Sequence, residues 1–144
     1  MRKTIPYKII GIEILNDFVR KEPSNGIKGF GLKTDFSFQT NSNAQQIRCV
    51  SRYVFSLEDK NAVIDVQLAC TFQIEPNAYQ SMLDESNKTI TINEFFSRYM
   101  ATICVGAARG VIAAKVKDTW LEKVVLPPIN LTQIFTGDMS FRYC

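Results

Sequence analysis

The chain has 144 residues, 46% hydrophobic and 22% charged, with a formal net charge of +3, which predicts a single folded domain over residues 1–144. The charge is too small and too scattered for a nucleic-acid-binding face, which needs clustered basic residues, so no nucleic-acid partner is expected. No apolar run long enough to span a bilayer stands out, and Lys8, Gly11 and Glu13 break the apolar residues behind Arg2 and Lys3, so neither membrane insertion nor a secretory leader is expected and a cytoplasmic protein is.

The first half, residues 7–75, reads as sheet. From Tyr7 to Arg20, Ile10, Ile12 and Ile14 alternate with Gly11 and Glu13, the period of a strand with one buried face. The cluster Pro23 to Gly26 turns the chain. From Gly29 to Thr40, Phe30, Leu32, Phe36 and Phe38 share a parity against Lys33, Asp35, Ser37 and Gln39. From Gln45 to Leu57, Ile47, Cys49, Tyr53, Phe55 and Leu57 oppose Arg48, Arg52 and Ser56. Glu58 to Asn61 is a connection of hairpin size. The cleanest alternation follows, with Ala62, Ile64, Val66, Leu68, Cys70, Phe72 and Ile74 against Asp65, Gln67, Thr71 and Gln73. Four such strands imply a four-stranded antiparallel sheet with one apolar and one polar face.

Residues 76–90 form a connection long enough to suggest function, with Tyr79, Met82 and Leu83 as its apolar members. A long helix is expected over 91–118. Thr91 and Glu94 have capping-box spacing, Ile90 and Phe95 make a hydrophobic staple, and Ile92, Phe95, Phe96, Tyr99, Ile103 and Ala107 form an apolar stripe. Gly106, Gly110 and Ala114 leave one side nearly bare. Helix-interior glycine costs about 1 kcal/mol relative to alanine, so close packing should offset it, either on the chain's own sheet or on the helix of another subunit. Pro127 and Pro128 keep the linker 119–129 irregular, since each removes a donor and disfavours helix in the residue before it. Asn130 and Gln133 then open a short helix over 130–136, closed by Gly137. The whole is α+β: sheet, crossover loop, long helix, linker and short C-terminal helix.

The four cysteines form no C-x-x-C pair, and Cys49 and Cys70 fall on apolar strand positions, so they read as reduced core residues with no metal role. There is no histidine, no phosphate-binding glycine loop and no nucleophile elbow. No catalytic residue, enzyme activity or cofactor is therefore expected. A binding module fits best, with a small α+β ligand-binding protein or enzyme, or a structural interaction protein, as alternatives.

This order of elements resembles the SecB chaperone family. The specific match is Ala108-Arg109, then Leu126-Pro127-Pro128-Ile129-Asn130-Leu131, then Phe135, at the spacing of the family's helix arginine and its L-x-P-[VI]-N linker. By pattern the resemblance covers residues 7–136. It implies a homotetramer built as a dimer of dimers, with long helices meeting through Gly106, Gly110 and Ala114. It also implies an ATP-independent holdase that binds unfolded client polypeptide in apolar grooves. Groove candidates are Tyr79, Met82, Phe95, Tyr99, Trp120, Leu121, Val124, Leu126, Ile129 and Leu131. Ordinary core packing is the alternative for each, and Trp120, beside the linker, is expected to be exposed. Aromatic and methionine side chains suit promiscuous binding because they offer large, adaptable contact area.

Two family roles stay open. Members serving export are typically acidic and carry a polar tail that engages the SecA motor. This chain is slightly basic, runs to Cys144 soon after the short helix, and has few acid residues on the polar sheet face, which puts SecA docking in question. Other SecB-like proteins serve an antitoxin in toxin-antitoxin-chaperone modules. The client would then be the antitoxin's C-terminal segment, with Ile12, Ile14 and Phe18 of strand one and the short helix as contacts.

Overall fold

Four long strands form one antiparallel sheet: β1 (Tyr7–Val19), β2 (Gly31–Asn41), β3 (Gln46–Ser56) and β4 (Ala62–Ile74), in the order β1-β4-β3-β2. The computed structural model describes residues 5–23, 29–57 and 61–143. Most of the turn expected at 23–26 and of the connection at 58–61, with Arg2, Lys3 and Cys144, lies outside the described residues. β2, β3 and β4 form a meander, and β1 joins it beside β4, a Greek-key arrangement.

The alternation read from β3 and β4 holds. Ile47, Cys49, Tyr53 and Phe55 of β3 and Ile64, Val66, Leu68, Cys70, Phe72 and Ile74 of β4 are all buried. β1 departs from expectation. Its pairing with β4 slips between Ile9 and Gly11 and again between Ile14 and Asn16, so Ile10 and Leu15 are bulge residues. The bulges put Ile9, Ile12 and Ile14, rather than Ile10, Ile12 and Ile14, opposite Phe72, Cys70 and Leu68. The expected burial of that face also fails, because every residue from Lys8 to Phe18 is exposed.

The polar face carries a cross-strand ion pair. Arg52 Nε donates to Asp65 Oδ1 at 2.9 Å and Nη2 to Oδ2 at 2.6 Å. These bonds hold the Asp65 carboxyl below its ordinary value. A carboxylate depressed in the fold adds stability above its unfolded pKa and loses that contribution as pH falls through the folded value. Arg52 is half exposed, so solvent screening limits the effect. Asp65→Asn should lower stability by about 0.5–1 kcal/mol at pH 7. The difference should shrink as pH falls from the usual carboxylate range through the lowered Asp65 value, and urea titrations at pH 7 and pH 3 check the decrease.

The crossover contains more structure than its sequence suggests. Helix α1 (Pro76–Met82) is capped by Glu75, whose carboxylate accepts from the amides of Asn77 at 3.0 Å and Ala78 at 2.8 Å. A hairpin of β5 (Leu83–Asp84) and β6 (Thr89–Ile92) follows, and β7 (Met139–Arg142) returns from the end of the chain to pair with β6. Thr91 is thus a strand residue. Its hydroxyl meets Ser140 Oγ at 2.8 Å, and the expected capping box does not form.

Helix α2 (Glu94–Val116) starts instead at Asn93, whose Oδ1 accepts from Phe96 N at 2.8 Å. It ends where Asp118 takes φ 62, a left-handed turn that no glycine supplies here. The buried stripe is Phe96, Ser97, Met100, Ala101, Cys104, Val105, Ala108, Ile112 and Val116. It is rotated from the expected one, and Phe95 and Tyr99 stand outside it. By length and composition α2 could cross a bilayer, contrary to the sequence expectation, but that stripe packs it on the sheet as a core helix.

Three cysteines distant in sequence meet beneath α2. Cys49 lies opposite Cys70 across the strands, and Cys104 Sγ donates to the Cys49 carbonyl at 3.7 Å. Hydrogen bonding with Cys49, together with burial, pushes the Cys104 thiol up to about 12. Hydrogen bonding with Cys104, followed by burial, raises Cys70 as well. All three are free and buried and pack as small apolar groups. After the linker, α3 (Leu131–Ile134) is one short turn; Asn130 precedes it without a side-chain capping bond.

Candidate functional site

Two apolar surfaces flank α2. The first faces β1, which is tied to the helix near both ends. The Tyr7 ring lies 5.8 Å from Phe96 and 5.4 Å from Tyr99, and Lys115 Nζ reaches Asp17 Oδ2 at 2.7 Å. Between these ties Ile9, Ile12 and Ile14 share the core face of the sheet, yet they are 43%, 53% and 48% exposed.

The cause is the opposing side of α2. Tyr99, Ile103, Gly106, Gly110 and Ala114 follow one another at spacings of three and four, so they share a helix face. That face begins at Tyr7's partner and then runs out of side chains. A Cβ added at Gly106 or Gly110 would meet no atom within 4 Å. Among the described residues nothing packs on the bare side at Gly106 or Gly110, contrary to the reading that it packs on the chain's own sheet. The result is an open trough with three isoleucines along one wall. An open cleft of about 280 Å³, lined by Pro6, Tyr7, Lys8, Gln73, Ile74, Glu75 and Pro76, lies at the Tyr7 end. Ile10, Leu15 and Phe18, also exposed, make β1 apolar beyond the trough itself.

The second surface is the linker, held against the other side of α2 by two arginines. Arg109 Nε donates to the Leu126 carbonyl at 3.0 Å and its Nη2 to that of Pro127 at 3.2 Å. Arg98 Nε donates to the Phe135 carbonyl at 2.9 Å, and its Nη2 to Glu94 at 3.1 Å. These bonds satisfy carbonyls that an irregular Pro-Pro segment leaves without regular partners. The Arg98 guanidinium also lies 5.8 Å from the centre of the Phe95 ring.

The groove candidates separate on this frame. Phe95 and Tyr99, one turn apart on α2, are open, 44% and 51% exposed. Val124, Ile129 and Leu131 are half-buried along the linker. Tyr79, Met82, Leu121 and Leu126 are core residues, with the Tyr79 hydroxyl 3.1 Å from Ser42 Oγ. Trp120 is half-buried rather than exposed, because its Nε1 donates to the Arg20 carbonyl at 2.8 Å and seats the ring at the end of β1. Sequence reading missed Val125 and Ile134, both exposed. For Val125 the nearby Pro-Pro was the local signal, and Ile134 lies in the single turn of α3, too short for a period to read.

On the polar face, Glu13 pairs with Arg48 at 3.1 Å, Asp65 with Arg52, and Asp35 lies opposite Arg52 across the strands. Acid groups there sit against arginines. Among the described residues no group of three or more His, Cys, Asp or Glu is placed to hold a metal ion.

No protein-family model matches the chain, and no curated protein matches it in sequence. Solved structures do. The SecB-like chaperone Rv1957 of Mycobacterium tuberculosis, in complex with a ChAD peptide from the HigA1 antitoxin Rv1956, superposes with a TM-score of 0.56 at 14% identity, over 85% of this chain and 90% of that one. A Streptococcus agalactiae protein of unknown function aligns over 87% of this chain and 99% of its own, at 12% identity and a TM-score of 0.36, too low to carry an argument. The fold of this chain is thus SecB-like, the architecture that its helix arginine and Leu-Pro-Pro-Ile-Asn linker resemble in sequence.

Proposed function

We propose that this protein is a chaperone that holds extended, unfolded segments of a client polypeptide without nucleotide. One observation carries the reading: a protomer of 144 residues leaves six large apolar side chains of a single edge strand exposed, Ile9, Ile10, Ile12, Ile14, Leu15 and Phe18. Three of them, Ile9, Ile12 and Ile14, share one face, and soluble monomers rarely leave so many large apolar side chains of one strand in water unless something binds them. The SecB-like fold supports the same reading.

Between the two roles the antitoxin is favoured. The acid groups of the polar face are neutralised by neighbouring arginines, which suits an acid-dependent motor contact poorly. The structural neighbour was solved with an antitoxin peptide. Three buried free thiols also fit a reducing cytoplasm. The test is light scattering of a chemically unfolded client diluted into buffer without nucleotide, with and without stoichiometric protein. Suppressed aggregation supports the reading, and undiminished aggregation by a protein that also ignores unfolded peptides removes it.

The bare side of α2 is proposed as a subunit contact in a dimer of dimers. Gly110→Leu separates this from a protomer role, because the added side chain enters open space in the protomer and leucine favours helix over glycine by nearly 1 kcal/mol. The variant should fold at least as stably as wild type yet show a smaller mass in sedimentation. An unchanged mass would remove the contact.

A further inference from the structure

We infer that β7 is a strap over a second client site, at the β2 side of the sheet, displaced when an extended client segment adds to β6 in its place. This rests on the chaperone reading above and says where and how a client enters.

Among the described residues β7 pairs with β6 alone, over four residues, with Phe141 opposite Ile90 and Met139 opposite Ile92. Ile90 and Ile92 are fully buried, whereas Ser140 and Arg142 are exposed. The inward ring of Phe141 lies 6.3 Å from Phe38 of β2, and the Phe135 ring packs on Phe38 at 5.8 Å and on Phe36 at 5.6 Å. The apolar side of β2 is therefore roofed by rings from the segment that follows the linker.

Lifting β7 would uncover two things together: the unpaired backbone edge of β6 and the apolar faces of Ile90 and Phe38. An open strand edge beside apolar pockets is a strand-addition site, where backbone bonds give affinity and alternate side chains give selectivity. β7 itself indicates the occupant. Met139, Phe141 and Tyr143 alternate with Ser140 and Arg142, so the site takes an extended client segment with apolar residues at every second position.

The strap is lightly held. Beyond the strand pairing it has the Thr91–Ser140 hydroxyl contact, the Asp138 carboxylate accepting from Glu94 N at 3.0 Å, and Tyr143 N donating to Lys88 O at 2.9 Å. Short edge elements with few buried contacts open more readily than the core.

Thr91 and Ser140 lie directly opposite with hydroxyls 2.8 Å apart, so cysteines there should bridge. Thr91→Cys with Ser140→Cys, in a Cys144→Ser background, locks β7 when oxidised and frees it when reduced. The probe is a reduced and alkylated, fluorescein-labelled unfolded protein followed by anisotropy. Apparent affinity scales with the fraction open, so the bridged form should bind at least about tenfold more weakly than the same protein reduced. Phe141→Ser, which removes the ring from Phe38, should bind more tightly than wild type.

Equal affinity of bridged and reduced forms, with wild type binding normally, overturns the strap and leaves the chaperone reading standing. Absence of binding by every form removes both. A bridge that forms between two copies, seen as a covalent dimer on a non-reducing gel, assigns β7 to a second copy and also overturns the strap.

Discussion

Leu126→Ala is expected to destabilise the fold by about 3 kcal/mol, the range for truncating a buried leucine and leaving a cavity. By position Leu126 looks like a groove residue, one step before Pro127. In the fold it is 1% exposed and belongs to the core cluster with Leu121 and Val116. The Arg109 guanidinium holds its carbonyl at 3.0 Å, so the backbone cannot move inward to close the cavity without giving up that bond. Urea unfolding should show a lower midpoint at unchanged slope. A variant of wild-type stability with weakened client binding would instead make Leu126 a groove residue.

Ile12→Asp with Ile14→Asp is expected to do the opposite, abolishing capture with little loss of stability. Both side chains are about half exposed, so little buried area is removed, and edge-strand substitutions of this kind change stability by about 1 kcal/mol or less each. A carboxylate in the trough must lose its water when an apolar segment docks, which is costly without a paired cation. The protein needed for half-suppression of aggregation should rise about tenfold or more, the scale of losing central contacts in an interface. Mass in solution should be measured alongside. Suppression retained with a reduced mass would assign the trough to subunit contact, and retention of both would remove it from either role.

The two predictions differ because local pattern misjudges how buried these residues are. Leu126 stands beside a Pro-Pro, the mark of an irregular surface segment, whereas Ile12 and Ile14 stand in an alternating run, the mark of a buried face. Alternation tells which residues share a face; it cannot tell whether anything covers that face. On β3 and β4 the cover is present and the reading holds. On β1 the bare side of α2 leaves the trough open.

The caps show a second limit. Thr91 and Glu94 have the spacing of a capping box, but Thr91 is drawn into β6 by pairing with Ser140, distant in the chain. Asn93, two residues on, becomes the cap instead. The stripe that packs on the sheet runs through Phe96, Met100, Cys104 and Ala108, and Phe95 and Tyr99 stand on the surface.

What the sequence determined by itself is the material of each layer: four strands by alternation, a long helix by its three-and-four period, a break at Pro127 and Pro128, and an α+β order resembling the SecB family. Those signals are local, set by side-chain period and backbone chemistry within a few residues. The tertiary structure decided the rest: β1 joining β4, the bulges at Ile10 and Leu15, the meeting of Cys49, Cys70 and Cys104, the burial of Leu126, and the closing of β7 over Phe38. Each of these depends on partners far apart along the chain, and only packing chooses among the partners that local pattern allows.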